Sequence, residues 1–339
     1  MVNDGEATTT TTATTTRRAA LLAAPAILGL AGAARGQGAA FPSRPLRMLI
    51  PFPPGGGSDI LGRIVAQRMA DALGGPVVPE NRGGAGGNIG TDAAAKSPPD
   101  GYTLLIAFNT VVVNQFLYRQ LPFDFRRDFA PVARVALVPT VIAAGPKMRA
   151  GATLADVVAE TRARPGALNH GTPGIGTITH VSAELMDAQT GGRLTHVHYR
   201  GTGPAVTAAA SGEVELVSAP WSAVEGLVSS GRLRVLANIA GARSPLIPDV
   251  PTVAEAANLP DYAVDTWGGI FVPAATPPAV VARLAEAVRA AVDTEEGRAA
   301  LASRGFQAAY ADGPALARVV EADMARWEPV LRAANIQVE

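Results

Sequence analysis

The sequence predicts an α/β protein of two lobes, each a mainly parallel sheet flanked by helices. Two observations carry that expectation. Short apolar runs alternate with amphipathic helical segments from Leu46 onward, and the alternation restarts in the second third of the chain. Strands alternating with helices in this way build parallel sheets covered on their faces. A length of 339 residues also suits two domains of ordinary size, about 100–200 residues each.

The elements follow in order. Residues 46–51 are an apolar run stopped by proline and glycine, which fits a buried strand. A helix is expected from Ser58, because Ile60, Leu61, Ile64, Val65, Met69 and Leu73 share one face and Gly74-Gly75-Pro76 ends it. Val77-Val78 begins the next strand, followed by a glycine-rich turn and a short helix over 89–96. Asp100-Gly101 turns into a strand over 102–107. In the second third, helices over 154–162, 178–189, 204–211 and 223–230 alternate with strands over 168–171, 194–198, 214–218 and 233–239. A strand over 269–272 and three helices over 278–292, 295–304 and 314–334 complete the chain. No fixed-period repeat is visible.

Composition narrows the function. The chain is 48% hydrophobic and 17% charged, which provides ample material for a core. Its 29 basic and 29 acidic side chains balance, arguing against a general nucleic-acid binder, which needs surplus cations for phosphate. With no cysteine, disulfides, thiolate metal sites, iron–sulfur clusters and a cysteine nucleophile are excluded.

Residues 1–40 read as a twin-arginine-type export signal. A threonine-rich leader ends in Arg17-Arg18, and a moderately apolar run of small residues follows to about Ala34. That run is too short and too rich in Ala and Gly for a membrane span of about 20 apolar residues. Its removal takes away Arg17, Arg18, Arg35, Asp4 and Glu6, leaving 26 basic and 27 acidic groups.

Three glycine-rich loops recur after a strand and before a helix: Pro51 to Asp59, Asn81 to Asn88, and Gly171 to Thr177. In an open parallel sheet such loops lie at the carboxyl ends of the strands, where ligands bind. Glycine permits close backbone approach, and a helix N-terminus offers unpaired N–H groups carrying partial positive charge. The loops are thus suited to a carboxylate or phosphate without a basic side chain. No lysine follows any of them, so they are not Walker A loops. Gly84 to Gly90 spells GxGxxxG, one residue off the dinucleotide fingerprint and after the second strand instead of the first. Ser58 and Asp59 also fit a plain helix start, with a serine N-cap and an acid in the first turn.

All four histidines, His170, His180, His196 and His198, fall within 29 residues. His196 and His198 alternate on one strand and can share a face. Without cysteine or an acidic partner at ligand spacing, no metal site is expected. His180 lies one turn beyond Thr177 and either touches a ligand or packs against the third loop. No nucleophile elbow, HExxH or paired-carboxylate signature is present, so no catalytic residue and no cofactor is assigned.

Read in order, Arg44-Pro45-Leu46-Arg47 with Pro51 to Asp59, Glu80 to Gly87, Pro99 to Leu105 and Leu121-Pro122-Phe123-Asp124 form a distinctive series. It continues with Gly174-Ile175-Gly176-Thr177 and His180, His198-Tyr199-Arg200-Gly201, Arg243-Ser244-Pro245, Pro248 to Thr252 and the terminal helix bearing Trp327. The series resembles the tripartite tricarboxylate transporter substrate-binding proteins, the Bug or TctC-like family, across essentially the whole chain after residue 40. The resemblance implies a type II-like periplasmic binding fold, with lobe one over 41–141 and 268–339, lobe two over 142–267, and a hinge near 138–144 and 265–269. It also implies a periplasmic, monomeric receptor that closes on a small carboxylate and hands it to the permease of a tripartite tricarboxylate-type transporter. Carried over by residue, one pincer is Pro54, Gly55, Gly56, Gly57, Ser58 and Asp59; the other is Gly174, Ile175, Gly176 and Thr177, with Asn109 and Thr110 as a further ligand-facing stretch. His198 stands where the family usually has proline, and Ser218-Ala219-Pro220-Trp221 departs from its usual run, so Trp221 either shapes the ligand's far end or packs in the core. A ligand-presenting sensor module and a dinucleotide-dependent enzyme remain as alternatives.

Overall fold

Chain direction explains the architecture. In the computed structural model, which describes residues 7–10 and 41–334, two mixed sheets are built mainly from strands running one way, and two of the three exceptions mark where the chain changes sheet. The export signal expected over 1–40 lies outside the described residues, apart from 7–10. Both sheets belong to one compact unit beginning at Arg44.

The first sheet begins with β1 (Leu46–Ile50), α1 (Gly57–Leu73), β2 (Val77–Asn81), α2 (Asn88–Ala95), β3 (Thr103–Phe108), α3 (Thr110–Leu117), α4 (Phe125–Asp128) and β4 (Phe129–Leu137). The second sheet follows: β5 (Thr140–Ala144), α5 (Leu154–Ala163), β6 (Asn169–Thr172), α6 (Ile178–Thr190), β7 (Thr195–His198), α7 (Thr202–Ser211), β8 (Leu216–Pro220), α8 (Trp221–Ser229), β9 (Arg234–Asn238) and α9 (Val253–Ala257). The chain then returns through β10 (Trp267–Pro273), α10 (Pro278–Val292), α11 (Glu295–Ala302), β11 (Gln307–Asp312) and α12 (Gly313–Ala333).

Strand order is β11-β4-β10-β3-β1-β2 in the first sheet and β7-β6-β8-β5-β9 in the second. Four of six strands in the first and four of five in the second share a direction, and only β10, β11 and β5 run against their sheets. β5 and β10 are the first strands entered after each crossing. A chain arriving from the side where the parallel strands end must run back against them. The sheets are therefore mainly parallel in strand direction and mixed in their pairings.

Burial follows from covering both faces. All residues of β3 and β10 are buried, so these strands read as unbroken apolar runs instead of alternating ones. α1 turns Leu61, Val65, Met69 and Leu73 inward and stops at Gly74, whose φ of 69° gives the left-handed C-cap that glycine adopts without a Cβ penalty. α12 packs on α3 and β4 and reaches α6 of the second sheet. Its Asp323 accepts from Trp267 Nε1 at 2.7 Å.

At the crossing, Val138 N–H donates to the Thr266 carbonyl at 2.7 Å, and the Thr140 hydroxyl donates to the Val138 carbonyl at 3.0 Å. The two linking segments are thus bonded side by side. Among the described residues, no helix is long and apolar enough to cross a membrane.

Several elements were absent from the sequence reading. α3 carries Val111, Val112 and Val113, a β-branched run that disfavours a helix locally, yet its burial between α12 and β3 decides the outcome. β4 and β5 are separated only by Val138-Pro139, so no turn signal divides them. β11 is a half-buried edge strand without a strong apolar pattern.

Candidate functional site

A cavity of about 1040 Å³ lies between the two sheets and draws its walls from both. Five helices begin on it, with Gly57 and Ser58 from α1, Thr110 from α3, Ile178 and Thr179 from α6, Thr202 and Gly203 from α7, and Trp221 and Ser222 from α8. The N-caps of α1, α3, α7 and α8 (Gly56, Asn109, Gly201 and Pro220) give no side-chain hydrogen bond to the first turn. Those first-turn N–H groups are thus left without the usual side-chain oxygen, and their partial positive charge faces the cleft. Of the residues lining the cavity, only Glu225 and Arg304 are charged.

The first loop is held from behind. Asp59 is 5% exposed and accepts from Gly55 N–H, Arg63 Nε and Asn81 Nδ2, each at 2.9 Å. Asn81 Nδ2 also reaches the Phe52 carbonyl at 3.0 Å. Burial opposes the Asp59 charge, but the Arg63 guanidinium, the Gly55 amide and the Asn81 amide outweigh it and hold the carboxyl down at about 2. Asp59 therefore points into the loop's support, not into the cleft. The N-cap is Gly56, so the expected serine cap is corrected: Ser58 sits inside the first turn.

The second glycine loop does not line the cleft. It buttresses the first, as a Cβ on Gly83 would come within 3.0 Å of Pro53 and one on Gly87 within 3.2 Å of Phe52. Its glycines serve close backbone packing.

The third loop is anchored by α6. Thr177 caps the helix, its hydroxyl accepting from His180 N–H and donating to the Gly174 carbonyl at 2.8 Å. Gly176 N–H donates to His180 Nδ1 at 3.1 Å. His180 is buried and holds the loop from inside, which is the packing alternative of the two that the sequence left open.

The sequence-derived residues thus divide. Gly55, Gly56, Gly57, Ser58, Asn109, Thr110, Thr177 and Trp221 line the cavity; Pro54, Asp59, Gly174, Ile175, Gly176 and His180 do not. Asn109 is fully buried; its Nδ2 donates to the Asp265 carbonyl at 2.9 Å, while its Oδ1 has no partner among the described residues. Trp221 is half-buried, packing against the second sheet's core while also lining the cavity. Sequence reasoning missed the α7 start at Thr202-Gly203, Thr266 and the turn from Arg304 to Phe306. Gly201, at φ 111°, was the available signal for α7.

Burial dominates the chemistry behind the third loop. It pushes His196 down to about 4 and His170 well below its ordinary value, keeping both imidazoles neutral. The expected lack of an acidic partner does not hold there, because Glu184 lies one turn beyond His180, 3.3 Å from its Nε2. On a helix, i and i+4 share a face, which was legible in the sequence.

Comparison with known proteins agrees with this geometry. The family model described as "Tripartite tricarboxylate transporter family receptor" matches residues 61–336. The chain is 35% identical over 294 residues to protein BugT of Bordetella pertussis, covering 86% of this chain and 90% of that protein. A protein of R. palustris solved with adipate superposes with a TM-score of 0.77 at 33% identity, over 88% of this chain and 99% of the other. MatC of Rhodopseudomonas palustris, solved with bound malate, gives 0.72 at 30% identity, over 86% and 100%. The family match runs from within α1 to the end of α12, leaving out β1 and the first turn of α1, and the chain belongs to the tripartite tricarboxylate transporter receptor family, a family of binding proteins and not of enzymes.

Proposed function

We propose that the chain is a periplasmic solute-binding protein that closes on a small carboxylate and delivers it to the permease of a tripartite tricarboxylate-type transporter. One observation carries this reading: five helix N-termini converge on a cleft whose walls hold a single acidic and a single basic side chain. Such a site holds an anion by oriented amides and hydroxyls, each charge-assisted bond contributing about 1.5–3 kcal/mol. The relatives solved with adipate and malate support a carboxylate of that size. Gly55 to Ser58 and Thr177 grip one carboxylate from opposite sheets, and Thr110, Thr202, Gly203 and Trp221 surround the rest of the ligand.

The two bonded segments at Val138–Thr140 and Thr266 act as the hinge, with the bodies on either side as the lobes. The protein works as an exported monomer, its closed form being what the permease recognises. A thermal-shift screen over aliphatic and aromatic carboxylic acids tests the ligand class, since a ligand that binds only the native state raises its melting temperature. Stabilisation by at least one carboxylic acid, and none by its amide or by NAD, is expected. Stabilisation by NAD alone would overturn the reading in favour of a dinucleotide site.

A further inference from the structure

Behind the third loop, the four histidines of the chain converge. His170 and His196 face each other across the parallel pair β6–β7, their Nδ1 atoms 3.1 Å apart. The His196 and His198 rings stack at 6.5 Å, and His180 projects from α6 to within 5.0 Å of His196. Glu184 closes the group: its Oε1 lies 3.3 Å from both His180 Nε2 and His196 Nε2.

Three features of this group point to a cation. A tetrahedral centre with bonds of about 2.0–2.1 Å sets its ligand atoms about 3.3–3.4 Å apart. Two of the three edges already have that length, and the three donor atoms lie within 4.8 Å of one another. His196 Nε2 has no hydrogen-bond partner although its side chain is only 9% exposed. Finally, the outer contacts orient His196 as metal-binding histidines are oriented. With protons on His196 Nδ1 and His170 Nε2, the first donates to His170 Nδ1 and the second to Ser218 Oγ at 2.8 Å. The His196 Nε2 lone pair then faces a carboxylate, acceptor against acceptor, with Asp187 Oδ2 a further 3.8 Å away. A cation between them turns that repulsion into attraction.

We propose that His180 Nε2, Glu184 Oε1 and His196 Nε2 form a three-ligand site for a divalent cation of the zinc class, with water as the fourth ligand. Glu184, at 22% side-chain exposure, is the open edge through which cation and water enter. Nitrogen donors select zinc-like ions over magnesium, which prefers six oxygens.

The site is wired to the cleft. His180 Nδ1 now accepts from Gly176 N–H, so the ring's proton sits on Nε2. A cation on Nε2 moves that proton to Nδ1, where it meets Gly176 N–H donor against donor. Loading therefore releases Gly176 from His180 and loosens the loop that Thr177 anchors. On the carboxylate-receptor reading, cation and cleft ligand then weaken each other by the same factor.

Calorimetric titration of the full-length, metal-free chain with zinc chloride tests the site without any carboxylate present, so a failure of that reading leaves this result untouched. One zinc per wild-type chain, no magnesium uptake and a raised melting temperature are expected. Glu184→Gln and His196→Ala should each weaken zinc more than about 100-fold, beyond the 10–100-fold that loss of an outer partner such as His170 costs. Hydrogen exchange of the Gly176 amide should accelerate on zinc addition. No zinc uptake by the wild type would overturn the proposal, whether or not the variants fold. Uptake that both folded variants retain, or that leaves Gly176 exchange unchanged, would place the cation elsewhere and overturn it equally.

Discussion

Asp59 accepts three hydrogen bonds at the root of the first loop, so its charge serves position instead of contact. Its folded pKa, held at about 2, lies below the unfolded value of about 3.9. A depressed carboxyl contributes stability that is present above the unfolded pKa and lost as pH falls through the folded one. Asp59→Asn should cost about 2–3 kcal/mol at neutral pH, the scale of hydrogen bonds to a charge, and the deficit should shrink from pH 4 toward pH 2. Denaturant melts of both proteins across that range measure it; a deficit independent of pH would contradict the role. Asp323 has the opposite sign. Burial pushes its carboxyl up to about 6 even though Trp267 donates to it. The folded state then binds the proton more tightly, and stability falls as pH rises from about 4 through 6. Asp323→Asn keeps an acceptor for Trp267 and drops the charge, so its stability relative to wild type should rise across that window and stay level above it. Melting temperatures at pH 4 and pH 7.5 check this, and an unchanged difference would contradict it.

At the scale of elements, the third loop and α6 form one device. Gly176 has a φ of 72°, and a Cβ there would lie 2.0 Å from Leu117 Cδ1 on α3, which belongs to the first sheet. Gly176→Ala should therefore hinder approach of the two sheets around the cleft and lower ligand affinity, with a backbone cost of about 1–2 kcal/mol in the left-handed region. Adding Leu117→Ala should restore part of the affinity, because it removes the clash but not the strain. Calorimetry on the single and double variants measures this, and equal affinity in the two would show that the contact does not matter. Thr177→Val removes a cap whose loss typically costs about 1 kcal/mol, to be read as a lower melting temperature. The loops and their following helices were legible in the sequence because glycine, proline and apolar periodicity mark them directly. α3 was not, since its valines favour a strand and only its burial makes it a helix. Residue patterns alone hid which glycine loop lines the cleft, and only the family resemblance set the second loop apart, which packs Gly83 and Gly87 on Pro53 and Phe52. A local pattern cannot separate a loop that meets ligand from one that supports its neighbour.

For the whole molecule, the alternation of strands and helices predicted two α/β lobes, and the two sheets follow it. What the sequence concealed is the exchange of strands between them: β4 and β5 lie two residues apart yet join different sheets. That exchange sets Val138 to Thr140 beside Thr266, the two bonded segments proposed as the hinge. It also brings five helix N-termini from the two sheets to one cleft, with charged side chains almost absent from its walls. Recognition by amides and hydroxyls, enclosed on closure, should respond weakly to salt, because buried interactions are screened far less than exposed charge pairs. The most direct measurement is calorimetric titration of the protein, at low and at high ionic strength, with the carboxylic acid that stabilises it most. An affinity that changes only a few-fold, and is lost when the acid is replaced by its amide, is what the account predicts. A steep loss with salt, or an amide that binds as tightly as the acid, would contradict it.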